Sequence, residues 1–307
     1  MESHTVSHSI PTLSTLAERA RSCFEQLQSE ICLALEELDG AGKFTEDTWQ
    51  RSEGGGGVTK VMEEGAVFEK AGVAVSTVFG MMPEAVARKM DVVPARFYAT
   101  GVSVVLHPKS PMVPTVHANF RYFEKEDGDA WFGGGMDLTP YYPYDEDIRH
   151  FHRTLKASCD RHHPEYYPRF KQWCDDYFFL KHRGETRGVG GIFFDYLRGR
   201  LGEDFAFVQS LGGAFLSAYL PIVQKRKSES YGSDERAWQL LRRGRYVEFN
   251  LVYDRGTVFG LETQGRTESI LMSLPPLVQW KYNSAPAKGT REARLIELLT
   301  SPREWIQ

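Results

Sequence analysis

Residues 12–38 carry apolar side chains at Leu13, Leu16, Ala20, Phe24, Leu27, Ile31, Leu35 and Leu38. Their three-four spacing puts them on one stripe of an amphipathic helix, with Gly40 just past its end as a stop. Such a stripe needs a surface to cover, and the following pattern predicts a sheet. Residues 58–78 read as short strands around the turn Glu63-Glu64-Gly65, and 97–107 as another strand. Period-two alternation turns Val102, Val104 and Leu106 one way and Ser103, Val105 and His107 the other. After a proline-rich connection over 108–114, residues 115–124 alternate again. His117, Asn119 and Arg121 share one face, and Val116, Ala118, Phe120 and Tyr122 the other. The two strands are expected to be antiparallel neighbours.

A helix is predicted after Asp145, with Ile148, His152, Leu155 and Cys159 on one face. Further helices are predicted over 165–181 and 205–224. Residues 246–253 and 257–263, joined by Asp254-Arg255-Gly256, read as a hairpin. The run Gly54 to Gly57 lacks a following Gly-Lys-Ser/Thr and reads as a mobile loop, not a phosphate loop. Strands cluster in runs with helices before, between and after them. This predicts the α+β class, an antiparallel sheet covered by helices. With no internal repeat and no boundary signal, residues 12–307 are expected to form a single domain behind a disordered lead-in over 1–11.

Composition narrows the function classes. With 41% hydrophobic and 25% charged residues the 307-residue chain has ordinary globular make-up. A net charge of −4 without a long basic block argues against nucleic acid as partner. The basic run at Lys225, Arg226 and Lys227 ends a helical pattern, where cations complement the helix dipole. No run approaches the roughly 20 apolar residues of a membrane span. Cys23, Cys32, Cys159 and Cys174 form no C-x-x-C pair, and the first ten residues lack signal-peptide or transit-peptide character. A reduced, cytoplasmic protein is expected.

The candidate chemistry centres on Trp131-Phe132-Gly133-Gly134-Gly135-Met136-Asp137-Leu138-Thr139-Pro140. Each glycine sacrifices about 0.5–1 kcal/mol of backbone order relative to alanine. In a strand-like run this marks close approach of a ligand to the main chain. Asp137 then stands at the edge of a backbone shelf, either as a general base or as a turn residue before Thr139-Pro140. Arg121 can fork a carboxylate, or it can form a surface ion pair with Glu124 or Asp137.

At HANFRYFE (117–124) and WFGGGMDLTPYY (131–142) the chain resembles the oxygen-dependent coproporphyrinogen III oxidase family. The resemblance continues through KQWCDDYF (171–178), KHR (181–183), GVGGIFFD (188–195), GRYVEFNL (244–251) and TESILMSLPP (267–276). It implies one large, flat antiparallel sheet with helices on both faces. It also implies a homodimer formed through 246–281, with Val247, Phe249 and Leu251 buried against the partner. The implied reaction is oxidative decarboxylation of two propionates of coproporphyrinogen III to vinyl groups, giving protoporphyrinogen IX. Molecular oxygen is the implied co-substrate, without an organic cofactor. By resemblance Asp137 holds the pyrrole N–H groups and acts as base, His117 donates a proton and Arg121 captures a propionate. Ser103, Asn119, Phe120, the shelf Gly133, Gly134 and Gly135, and Gln264, Gly265 and Arg266 match substrate-contact positions, although relatives have glycine where Gln264 stands. His107, His117, His152 and His182 match positions of divalent-metal ligands, and four separately bonded histidines are the alternative. A metal-dependent oxygenase and a non-catalytic tetrapyrrole carrier are the rival functions.

Overall fold

Helix α1 (Thr15–Asp39) follows the predicted stripe. Ser14 accepts the Ala17 N–H at its start, and Gly40, at φ 77°, closes it by donating to the Glu36 carbonyl. The structure, a computed structural model, describes residues 14–82, 84, 87–88, 93–262 and 265–306. The lead-in expected over 1–11 and the candidate Gln264 lie outside the described residues. Ala20, Phe24, Leu27, Ile31 and Leu35 of α1 are buried against the sheet. Gln28 ties the helix down by donating to the carbonyls of Val58 and Val73 at 2.9 and 2.8 Å. Asp39 ends α1 as a clasp, accepting the N–H groups of Gly42, Ala66, Val67 and Phe68 at 2.7–2.9 Å. Burial raises the Asp39 carboxyl, but these backbone donors outweigh it and hold the pKa below the ordinary value.

The sheet contains β1 (Thr45–Gln50), β2 (Gly55–Glu63), β3 (Phe68–Met81), β4 (Arg96–Pro108), β5 (Thr115–Lys125), β6 (Ala130–Thr139) and, after a detour, β9 (Gly191–Leu197). Its order is β1-β2-β3-β4-β5-β6-β9 with every pair antiparallel. The α+β reading and the pairing of the His107 and His117 strands therefore hold. Strands β7 (Phe179–Leu180) and β8 (Glu185–Thr186) pair only with each other.

One sheet face carries Val102, Val104, Leu106, Val116, Ala118, Phe120, Tyr122, Phe132, Met136 and Leu138, all essentially fully buried. At about 1.5–3 kcal/mol per large apolar side chain, that face supplies the driving force for folding. The other face can then hold side chains that a core would exclude.

Helices α2 (Asp145–Asp160), α3 (Tyr166–Tyr177), α4 (Leu201–Gly213), α5 (Phe215–Arg226), α6 (Ser233–Val252), α7 (Arg255–Glu262), α8 (Thr267–Leu271) and α9 (Arg291–Thr300) complete the described elements. Several expectations are corrected. The helix expected over 165–181 stops at Tyr177, where the chain enters β7. The helix expected over 205–224 is two helices broken at Ala214, behind the weak pair Gly212-Gly213. Pro221 has no N–H for the Ser217 carbonyl, which the His150 ring bonds instead at 3.0 Å. Together, 201–226 is long and apolar enough to cross a membrane by composition, but its buried half and central break fit a core helix pair.

The hairpin expected over 246–263 is not formed: the described residues 246–262 belong to the end of α6, to α7 and to the link between them, and residue 263 lies outside the described residues. Asp254 does not turn a hairpin; its carboxylate accepts the Thr257 N–H at 2.7 Å and caps α7. Of the glycines at 54–57, read as a loop, Gly55, Gly56 and Gly57 are the first residues of β2. A Cβ on Gly57 would come within 2.6 Å of the Trp49 indole, so close strand packing demands glycine there.

Candidate active site

The second sheet face is built in three rows set by strand register. Antiparallel partners at one register position share a face. The first row is Val61, Gly72, Val105, His117, Asp137 and Gly191; the second is Thr59, Ala74, Ser103, Asn119, Gly135 and Phe193. The third is Gly57, Ser76, Gly101, Arg121 and Gly133. Most of these residues are Gly, Ala or Ser. From β2 to β6 the result is a cleared floor roughly 19 Å wide, at about 4.8 Å per strand. Ala74, Ser76, Gly101, Ser103, Asn119 and Arg121 are all partly exposed on it.

The register brings Ser103, Asn119, Gly135, Arg121 and Gly133 together, with His117 and Asp137 at one end. Phe120 is different. Its ring lies in the hydrophobic core on the opposite face, so only its backbone borders the floor. A side chain on Gly134 would point the same way, into the Phe120 and Phe194 rings.

Arg121 pairs with neither Glu124 nor Asp137. Its guanidinium lies over Gly133 and meets Asp195 at 2.8 Å, while a second contact reaches Asn119 at 3.2 Å. The Asp195 carboxylate lies on this face by continuing the Gly191–Phe193 alternation of β9, and a bulge follows immediately after it. Tyr196 sits at φ 50° and donates its N–H to Asp195 Oδ1 at 2.9 Å. Bulges of this kind re-aim side chains beside active sites. Arg255 approaches the same carboxylate at 3.9 Å and lies over the Tyr177 ring. Arg121 and Arg255 nevertheless keep 37% and 57% of their side-chain surface exposed, so both can still receive an incoming carboxylate. Across the floor, Arg266 pairs with Asp47 of β1, and Gly265 donates to the Gly260 carbonyl at 2.8 Å. Ser269 and Met272 cover Thr59 and Gly72 at that side.

The closed end of the cleft is a buried charge cluster. His117 Nδ1 and Asp137 Oδ1 are 2.7 Å apart. Arg187 donates one nitrogen to both Asp137 oxygens at 2.9 and 2.8 Å and its other terminal nitrogen to Asn250 at 2.8 Å. The guanidinium is boxed by the rings of Phe178, Tyr246 and Phe249, whose centroids lie 4.1, 4.5 and 4.9 Å away. Burial raises the Asp137 carboxyl, but the Arg187 charge and the His117 hydrogen bond outweigh it, and the pKa is lowered. A general base works best with a pKa near the working pH. Asp137 is instead held as an anion.

The four histidines matched to metal ligands are not brought together. His107 bonds the Ser273 carbonyl and Thr115, His152 bonds Tyr167 and the Val189 carbonyl, and His182 bonds Tyr253 and Glu248. Burial, with Arg243 adding to it, keeps His107 neutral, and burial lowers His152 to about 3. Among the described residues no three His, Cys, Asp or Glu side chains converge as a metal site. The donor set therefore does not fit the implied metal.

Arg187, Asn250, Asp195 and Arg255 escaped the sequence reading as site residues. Arg187 stands in the polar run Arg183-Gly184-Glu185-Thr186-Arg187, where only its contact with Asp137, made in the folded chain, sets it apart. Asp195 ends the matched block GVGGIFFD, and Arg255 was taken as part of a turn.

A broad cleared floor, rimmed by arginines and closed by a buried Asp–His–Arg cluster, defines a site suited to a flat polycarboxylate. The chain matches the coproporphyrinogen III oxidase family over residues 19–305 and belongs to it. It is thus an oxidoreductase that acts on coproporphyrinogen III in porphyrin biosynthesis.

Proposed function

We propose that this protein uses molecular oxygen to convert two propionates of coproporphyrinogen III to vinyl groups, yielding protoporphyrinogen IX. Each step removes carbon dioxide, one side-chain hydrogen and two electrons, and dioxygen takes up the electrons with two protons as hydrogen peroxide. The observation that carries the reading is the Arg121–Asp195 pair lying on Gly133, beside Asn119 and Ser103 and in line with His117 and Asp137. Arg121 binds a propionate, Arg255 and Arg266 meet further carboxylates, and the cleared floor receives the macrocycle. The Asp137 carboxylate and the His117 ring form the acid–base pair that handles the pyrrole and side-chain protons.

A homodimer formed through 246–281 belongs to the same reading. Val247 and Phe249 are buried within the chain itself, so they leave that role to others. Among the described residues of this region, Leu251, Val252, Leu261, Leu277 and Trp280 are the exposed large apolar side chains. All four cysteines are free, which supports a reducing, cytoplasmic setting.

The test is product formation from coproporphyrinogen III by chelator-treated protein, in air and under argon. Conversion in air alone supports the proposal. Conversion only after one metal is restored favours the metal-dependent oxygenase, and tight binding without vinyl product favours the carrier.

A further inference from the structure

The Asp137 carboxylate has two claimants, and their geometry differs. Arg187 is fixed from several sides: its backbone N–H donates to the Phe178 carbonyl at 2.8 Å, Asn250 holds one nitrogen, and three rings enclose the guanidinium. Asn250 is itself seated by a 3.3 Å contact to Ser273. Arg187 is 3% exposed and Asp137 2% exposed, so neither can swing out to a ligand at little cost. His117 is more accessible, with 21% of its side chain exposed, and it stands beside Asn119 and Arg121 on the floor. Its Nδ1 faces Asp137 at 2.7 Å but lies 3.4 Å from Arg187, too far for a good hydrogen bond. An ionised carboxylate can only accept. The proton in the short contact therefore belongs to Nδ1.

We propose that Arg187 is a positioning residue for the reaction. It reserves Asp137 as the fixed acceptor of the His117 Nδ1–H and so fixes the orientation and tautomer of the ring. The inference rests on the proposed function and deepens it, because it adds Arg187 to the acid–base pair as the group that holds Asp137 in place against the His117 ring. The other polar groups around the pair do not compete. Cys174 on α3 and Tyr246 on α6 are buried as the neutral thiol and phenol, His107 is neutral, and Asp254 adds to the field that holds Arg187 charged. Among the described residues the buried Arg187 Nε has no partner, and the side chain bonds through its two terminal nitrogens.

The experiment combines kinetics with nitrogen NMR of histidine-labelled protein, the His117 signals being assigned by their loss in His117→Gln. Wild-type protein should show His117 as the single Nδ1–H tautomer. Arg187→Met should lower kcat by about 10²-fold, the scale of lost acid–base catalysis, with KM changed by less than about threefold. His117 should then show mixed tautomers. Arg187→Lys keeps the charge without the fork, and it should restore part of both the rate and the tautomer signal. Asn250→Ala removes only the strut. It should lower kcat by several-fold with a partial loss of the signal, and it decides the matter if Arg187→Met does not fold. An unchanged tautomer in a folded Arg187→Met or Asn250→Ala protein overturns the proposal. So does a rise in KM at constant kcat, which would make Arg187 a substrate-binding residue. If the wild-type protein forms no vinyl product, the proposed function fails, whereas the tautomer measurement still reads the Arg187–Asp137–His117 linkage.

Discussion

Gly133 and Asp195 face each other with no room for a side chain between them. A Cβ built on Gly133 would lie 2.7 Å from Asp195 Oδ1 and 2.8 Å from Arg121 Nε. Gly133→Ala must therefore displace the ion pair without removing either charge. Misplacement of about 1 Å can cost about 10²-fold in rate, so kcat/KM for coproporphyrinogen III is expected to fall by that order while the melting temperature changes little. Wild-type kinetics in a folded Gly133→Ala protein would remove the pair from the site.

Arg121→Ala is expected to raise KM markedly, because the propionate loses its fork. Arg121→Lys should recover only part of the loss, since a lysine presents a point charge and no planar pair of donors. Steady-state kinetics on the two variants separate these cases, and equal recovery by Lys would show that charge alone matters.

Asp137→Asn should lower turnover by about 10²-fold or more. It also leaves Arg187 as an uncompensated buried cation, and breaking such a pair costs about 3–5 kcal/mol. Urea unfolding of Asp137→Asn should reveal the loss. A variant with normal turnover would rule out the acid–base role, and one with normal stability would contradict the buried pairing.

The Asp39 clasp makes stability depend on pH. Its folded pKa is depressed, so its contribution is fully present above the unfolded-state value of about 3.9 and is lost as pH falls through the lower folded value. Asp39→Asn should be less stable than wild type by about 2 kcal/mol near pH 7, and the gap should narrow as the pH drops below about 4. A constant gap across that range would show that the charge contributes nothing.

If residues 246–281 form the subunit interface, Trp280→Asp and Leu277→Asp should shift sedimentation at micromolar concentration from dimer toward monomer. Trp280 and Leu277 are 52% and 55% exposed in the single chain, so neither change removes core packing. A wild-type protein that sediments as a monomer would end this part of the proposal.

Strands that alternate cleanly, β4 and β5 above all, were legible because one face is core and the other is not. Their register then gathered Ser103, Asn119, Arg121 and His117 much as the alternation implied. The end of α6 was not legible. Tyr246, Val247, Phe249, Leu251 and Tyr253 alternate like a strand, whereas the helical period appears only when Trp238 and Leu241 are included. Asp254-Arg255-Gly256 has the residues of a turn, but Asp254 spends its carboxylate on the cap of α7. The closed end of the site was half visible. His117 and Asp137 stand out in their motifs, but Arg187 belongs to a loop, and its importance comes from the rings of Phe178, Tyr246 and Phe249 that tertiary packing brings around it.

The cleared floor also sets how this protein can change. At Gly57, Gly72, Gly101, Gly133 and Gly135 an added methyl would meet another heavy atom within 3.0 Å, and for all but Gly72 and Gly133 the nearest such atom is main chain that cannot give way. Tolerance there runs in one direction: almost any replacement enlarges the residue and tilts or expels whatever lies on the sheet. Ala74, Ser76 and Ser103 are the positions with latitude. Variation in what the cleft accepts is therefore expected to arise at those three residues and along the rim, while the glycines stay fixed by steric exclusion.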